Sequence, residues 1–269
     1  MSELVPRFKE EQVAIVEAFI AHSVRESGRN GVVLGLSGGV DSALVAKLCA
    51  DALGPDRVVA LALPDGTGGQ DLKDAKSWAK ALGIGFRVVN IHPIATSFDK
   101  RLTAAGADPI ARGNVRARIR MVVLYFVANT EARVVMGTGN KSEVLCGYSS
   151  KWGDGGADFL PIGDLYKTQV REMARHLGVP PEIVAKTPTA GLWPGQTDEG
   201  ELGIPYTDLD RILLGIELQM DPEAIAEKAQ VPLERVQHVA SLVAMSVHKR
   251  KMPLIPKLGV RTVGLDWRE

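Results

Sequence analysis

A doubly wound α/β protein, with helices flanking a parallel sheet, is what this sequence of 269 residues predicts. Three observations carry the prediction. Short β-type apolar runs alternate with segments of helical periodicity, the pattern of right-handed βαβ crossovers. Those runs are apolar at nearly every position, as strands covered on both faces must be. The first of them meets a loop of small residues and then a helix, the kind of junction at which doubly wound sheets receive ligands.

Val13, Val16, Phe19 and Ile20 stripe an opening helix that Gly28 ends. Residues 32–36 form the first strand, and Leu44, Val45 and Leu48 place an apolar face on a helix over 43–53. The alternation continues with a strand at 57–63, a helix at 71–82 and a strand at 85–91. A long helix over 109–129 precedes a buried-type strand at 133–137. Its segment 121–128 is apolar on every face, which predicts cover from a second subunit as well as from its own sheet. A Gly/Asp-rich loop at 153–158 leads to a helix over 165–177, stopped by Gly178 and followed by Pro180 and Pro181. Asp221 with Pro222 starts a further helix, Leu233, Val236, Val243 and Val247 stripe a last one, and the tail from Met252 is extended. No internal repeat divides the chain, which reads as one domain over 1–269; the longest stretch without a periodic signal is 187–203.

Thirty-two Lys and Arg balance 32 Asp and Glu, so no net charge draws the chain to nucleic acid or to an anionic membrane. The longest apolar run, 121–128, is far short of the roughly 18 residues of a membrane span. The first 26 residues mix charges with apolar positions at helical spacing, unlike a secretory signal, so a cytoplasmic location is expected. Cys49 and Cys146 lie far apart on apolar stretches and read as buried thiols; with five scattered histidines they make neither a zinc site nor a disulfide framework.

The informative segment is Gly35-Leu36-Ser37-Gly38-Gly39-Val40-Asp41-Ser42, set between a buried strand and a helix. Consecutive small residues let backbone N–H groups converge on an anion, and the helix adds its positive end. Such a loop suits a pyrophosphate. Ser37 and Ser42 can donate to phosphate oxygens, whereas Asp41 would repel them unless a cation intervened, which implies Mg²⁺. No Lys stands where a Walker loop needs one. A tight turn with Asp41 as a helix cap is the plain alternative.

Ser37-Gly38-Gly39-Val40-Asp41-Ser42 resembles the signature of the ATP pyrophosphatases, which cleave ATP between its α and β phosphates. Later blocks narrow the likeness: Asn114-Val115-Arg116-Ala117-Arg118-Ile119-Arg120-Met121, Gly137-Thr138-Gly139-Asn140-Lys141-Ser142-Glu143, Lys151-Trp152-Gly153-Asp154-Gly155-Gly156-Ala157-Asp158, Pro188-Thr189-Ala190-Gly191-Leu192 and His248-Lys249-Arg250. In this order they resemble the synthetase module of the ammonia-dependent NAD synthetases over nearly the whole chain. The resemblance implies a Rossmann-like sheet of the adenine nucleotide alpha hydrolase type, and amidation of deamido-NAD⁺ by ammonia at the expense of ATP, with Mg²⁺ as cofactor.

It further implies an ATP site from Gly35 to Ser42 with Thr138, Lys167 and Thr189, and deamido-NAD⁺ contacts at Arg118, Lys151, Asp158, His248 and Lys249. Asp158 is a candidate to take a proton from ammonium. Thr138 and Glu143 follow the strand 133–137 on the ligand-binding edge, so Glu143 can share a metal with Asp41, although alone it also reads as a first-turn carboxylate favoured by the helix dipole. The familiar bacterial motif reads Gly-Thr-Asp-His-Ala-Ala-Glu; Gly139, Asn140, Lys141 and Ser142 replace its middle here, so those contacts do not transfer. Arg116 and Arg120, off the face of Arg118, are expected in salt bridges or along the helix surface. The chain has no length to spare for a fused glutaminase, which leaves room for a separate one as nitrogen source. Two rival readings are a tRNA-modifying ATP pyrophosphatase, disfavoured by zero net charge and isolated cysteines, and a nucleotide-binding module without turnover, disfavoured by two metal-facing carboxylates.

Overall fold

All four apolar runs form strands, and they join side by side in one direction. The computed structural model describes residues 4–102, 108–193, 195–263 and 266. In chain order the elements are α1 (Glu11–Glu26), β1 (Gly31–Gly35), α2 (Val40–Leu53), β2 (Val58–Ala62), α3 (Gly69–Leu82), β3 (Gly85–Val88), α4 (His92–Arg101), α5 (Pro109–Thr130), β4 (Arg133–Met136), α6 (Lys141–Cys146), α7 (Lys167–His176), α8 (Pro181–Val184), α9 (Asp198–Leu202), α10 (Tyr206–Glu217), α11 (Pro222–Ala229) and α12 (Leu233–Met245). The strands pair in the order β3-β2-β1-β4, all parallel, with Val33 level with Val59 on one side and Val135 on the other.

Side-chain alternation explains why the strands are apolar throughout. Val32, Leu34, Val58, Ala60, Val134 and Met136 join Ile20 of α1, the α2 core residues and Val170 and Met173 of α7 in one buried cluster. Val33, Val59, Leu61 and Val135 point the other way, into a cluster with Ile119, Val127 and Ala128 of α5. Along β1, β2 and β4 neither face meets water, whereas β3 at the sheet's edge is largely exposed, Val88 by 49%. A third cluster lies among α10, α11 and α12, with Tyr206, Leu209, Ile212 and Val236 at its heart and Cys146 and Tyr166 against it.

The expected strand over 85–91 stops at Val88, because Asn90 turns the chain: its Oδ1 accepts the N–H of His92 at 2.9 Å and that of Gly66 at 3.3 Å. Pro93, in the first turn, then presets the geometry of α4, a helix the reading above lacks. It also lacks α10, although Leu209, Ile212, Leu213 and Ile216 carry a helical stripe. On α5 the expectation of an uncovered face holds: Val127 and Ala128 are buried, while Val122 is 60% and Phe126 70% exposed. Both cysteines are buried, and burial pushes each thiol up to about 12. Among the described residues no helix is long and apolar enough to cross a membrane.

Candidate functional site

The carboxyl ends of β1, β2 and β4 open onto one cavity of about 740 Å³. Leu36, Ser37, Gly39, Val40, Asp41 and Ser42 line it from the first loop, Thr138 and Glu143 from the fourth strand's loop, and Lys167 and Thr189 from further on. That is the crevice in which doubly wound sheets bind ligands.

Hydroxyl groups shape the glycine-rich loop. The Ser37 N–H donates to Ser42 Oγ at 3.2 Å, and Ser42 Oγ donates to the Gly39 carbonyl at 3.0 Å. The Gly39 N–H donates to Ser37 Oγ at 3.2 Å. No side chain caps α2, whose N-cap is Gly39, so the first-turn amides have no side-chain partner and an anion can take that place. Gly38 turns with φ +88°, and a Cβ there would lie 2.4 Å from the Asp71 carbonyl oxygen. Lys186, unforeseen in the sequence, ties the turn down: its Nζ donates to Gly38 O at 2.9 Å and pairs with Asp71 at 2.7 Å and Asp74 at 2.5 Å.

Asp41 and Glu143 meet across the buried ammonium of Lys167, which lies 2.6 Å from Asp41 Oδ2 and 3.1 Å from Glu143 Oε1. Asn140 aligns both carboxylates. Its Nδ2 donates to Asp41 Oδ1 at 2.9 Å, its Oδ1 accepts the Glu143 N–H at 3.0 Å, and its own N–H donates to Glu143 Oε2 at 3.3 Å. This capping box starts α6. Ser142, another substituted motif position, donates to Asp210 Oδ1 at 2.5 Å and accepts the Lys167 N–H at 3.0 Å, fixing the start of α7. Lys141 pairs with Asp164 and Glu217, each at 2.9 Å. The three replacements thus build a different scaffold around the same carboxylates.

Burial pushes the Glu143 carboxyl up to about 7, against the pull of Lys167 and with the repulsion of Asp41 and Asp198. Burial opposes the charge on Lys167 too, but Asp41 and Glu143 more than offset it and its ammonium holds its proton more tightly than usual. A cation is wanted at this point. The donor chemistry fits a divalent metal, since Mg²⁺ is ordinarily held by one or two carboxylates, with phosphate oxygens and water as the rest of its shell. Among the described residues no cluster of three His, Cys, Asp or Glu could hold a metal on its own.

Other expected contacts stand elsewhere. Lys249 lines the cavity and braces it, donating to Gly147 O at 2.6 Å and Ser149 O at 2.8 Å. Arg118, Lys151, Asp158 and His248 are outside the lining. Arg118 Nη2 donates to Lys151 O at 3.1 Å, and Lys151 Nζ to His248 O at 2.6 Å. The arginine of α5 that does line the cavity is Arg120, bonded to Leu63 O at 3.0 Å, with a pKa that burial lowers. Arg116 makes the expected salt bridges, to Asp65 at 2.6 Å and Asp99 at 2.9 Å. Asp158, the candidate proton acceptor, accepts at Oδ1 from Tyr125 Oη at 2.9 Å and at Oδ2 from the Val135 N–H at 2.8 Å, which anchors its loop to β4 and α5.

A parallel sheet with an uncapped glycine-rich helix start and a carboxylate pair at its carboxyl edge defines an α/β protein of the kind that binds nucleotide phosphates. The chain belongs to the NAD synthase family, whose model matches residues 12–253. An NH₃-dependent NAD⁺ synthetase of Pyrococcus horikoshii is 49% identical to it over 246 residues, 91% of this chain and 95% of that one. Among solved structures, an NMN synthetase from Francisella tularensis superposes with a TM-score of 0.82 at 35% identity, covering 94% of this chain and 100% of the other. An NH₃-dependent NAD synthetase from Campylobacter jejuni gives 0.78 at 30% identity, over 92% and 98%.

Proposed function

We propose that the chain is an ammonia-dependent NAD synthetase, a ligase that amidates deamido-NAD⁺ with consumption of ATP. The observation that carries this reading is the convergence of the Ser37–Ser42 loop, Asp41, Glu143, Lys167, Thr189 and Lys249 on one cavity. The unpaired amides of α2 receive the β and γ phosphates as a unit, while Lys167 stands ready to approach the α phosphate as negative charge builds there. The nicotinate carboxylate attacks the α-phosphorus, the α–β bond breaks and pyrophosphate leaves. Ammonia then displaces AMP from the acyl-adenylate, losing its proton to solvent or to a carboxylate of the cavity. Mg²⁺, held by Asp41 and Glu143, would neutralise the departing pyrophosphate. Catalysis is positioning and charge neutralisation.

Ammonium, ATP and deamido-NAD⁺ should yield NAD⁺, AMP and pyrophosphate; ADP as the main nucleotide product would refute the reading. The likeness to the Francisella NMN synthetase favours a second substrate, nicotinate mononucleotide. A parallel reaction with it decides between the two through kcat/KM.

The active form in this reading is a homodimer. Val122 and Phe126 together expose about 200 Å² of apolar surface on α5, worth about 5 kcal/mol if covered. A twofold partner is the commonest way to cover such a face. Arg118, Lys151 and Asp158, outside the cavity of their own chain, would serve deamido-NAD⁺ from beside that seam.

A further inference from the structure

The Lys167 ammonium occupies the inward oxygens of both Asp41 and Glu143, whereas Asn140 holds the outward ones. A metal drawn to both carboxylates would compete with the ammonium already seated between them. Lys167 is 2% exposed and lines the cavity, so an ammonium displaced from the two carboxylates needs another acceptor on the cavity wall. The Tyr206 ring lies under it, 5.1 Å from Nζ to the ring centre, and Tyr206 Oη donates to Asp198 Oδ2 at 3.2 Å. Asp198, 4% exposed, lines the same cavity. Among the described residues its buried Oδ1 accepts no hydrogen bond of good geometry, although the Tyr148 hydroxyl interacts with the carboxylate. Leaving a buried acceptor unpaired is unfavourable, the more so when it is charged, so a donor is expected in another state of the site.

We propose that Asp198 is a positioning residue, the acceptor to which Lys167 swings when a divalent cation takes Asp41 and Glu143. The proposal rests on the metal reading given above. The backbone of Lys167 is fixed by Ser142, but its four-carbon stem carries Nζ across the Tyr206 face without moving the helix. Charge agrees in sign: three acidic side chains face one ammonium, so an added cation is favoured there. In the loaded state the ammonium is drawn off the metal ligands yet remains on the cavity wall, where it can meet the α phosphate.

The test is Mn²⁺ binding without nucleotide, read from the electron paramagnetic resonance of the free ion, for wild type, Asp41→Asn, Asp198→Asn, Lys167→Met and the last two combined. Asp198→Asn should weaken Mn²⁺ about tenfold when Lys167 is present and leave it unchanged when Lys167 is Met. Unchanged binding in both backgrounds overturns the proposal, and equal weakening in both shows that Asp198 bonds the metal itself, which also overturns it. Wild type that holds no Mn²⁺, or Asp41→Asn that binds as well as wild type, overturns the metal reading and this proposal with it. If Asp198→Asn fails to fold, the wild type still decides: with lysines labelled at ¹⁵Nζ, Mg²⁺ must shift the resonance that Lys167→Met removes, and an unmoved signal refutes the swing.

Discussion

Gly38→Ala tests the phosphate loop most directly, because two neighbouring glycines there differ in what they tolerate. Gly38 has φ +88°, a region that costs a residue with a Cβ roughly 1–2 kcal/mol. Its new Cβ would sit 2.4 Å from Asp71 O, and the obstacle is backbone at the first turn of α3, pinned by Lys186. Relieving that overlap adds about 1–3 kcal/mol. The total, about 2–5 kcal/mol, lowers Tm by about 4–9 °C for a chain of this size. Gly39 has ordinary backbone angles, φ −91° and ψ 163°, and its Cβ would meet only Ser37 Oγ at 3.4 Å. Gly39→Ala should therefore melt within about 2 °C of wild type while weakening ATP through steric contact at the uncapped amides. Differential scanning calorimetry gives Tm, and titration calorimetry with α,β-methylene-ATP gives affinity. Equal, small effects of both substitutions would show that the loop does not have this shape.

Asp41→Asn, nearly isosteric, should fold normally and lose at least a hundredfold in kcat in the AMP-release assay; near-normal turnover removes Asp41 from the metal site. Glu143, pushed up to about 7 by burial, binds a proton in the folded chain that the unfolded chain releases near 4.5, so its contribution to stability is full below that pH and lost as pH rises through about 7. Glu143→Gln without ligands should accordingly gain Tm relative to wild type more at pH 8 than at pH 5, and a pH-independent difference counts against a protonated Glu143. Phe126→Glu should convert a dimer to monomer in multi-angle light scattering and raise the KM for deamido-NAD⁺, whereas a wild type that is monomeric and fully active ends the dimer proposal. Val123 is the poorer place for a charge, since it packs against the α5 core cluster. Cys49 and Cys146, buried with pKa values near 12, should react with a disulfide reagent at pH 8 only as fast as the protein unfolds; burst labelling of the native state contradicts their burial.

Periodicity made the sheet and its main helices legible, since Val32, Val58 and Val134 lie in runs whose every position meets one core or the other. The element ends were less so. Asn90 stops β3 through side-chain bonds to two amides, a local choice that hydrophobic pattern does not encode. At the site, the pairing of Asp41 with Glu143 followed from each lying at the edge of a parallel strand, although they are joined through Lys167, whose place came only from the family resemblance. Lys186, Asp198 and Tyr206 were missed because none stands in a motif that forces its direction, and the role of Asn140 was missed because its amide reaches Asp41, 99 residues away. The anchoring of Asp158 was equally hidden, because a carboxylate in a glycine-rich loop gives no sign that Tyr125 and the β4 amide engage it.

The brace that Lys249 and Arg250 form on the α6 loop has a consequence for when the protein becomes competent. Arg250 Nη1 donates to Leu145 O at 2.6 Å, just beside the helix that bears Glu143, and Lys249 holds the next carbonyls, Gly147 and Ser149. Those carbonyls wait for donors translated about a hundred residues later. At about 5–20 residues per second, the ribosome needs roughly 5–20 s to go from Glu143 to Lys249. During that interval the sheet can pair and the phosphate loop can form, but the cavity wall lacks its anchor. Nascent chains stalled short of Lys249 should hold nucleotide loosely, and full affinity should arrive only once Lys249 and Arg250 have been added and have left the ribosome.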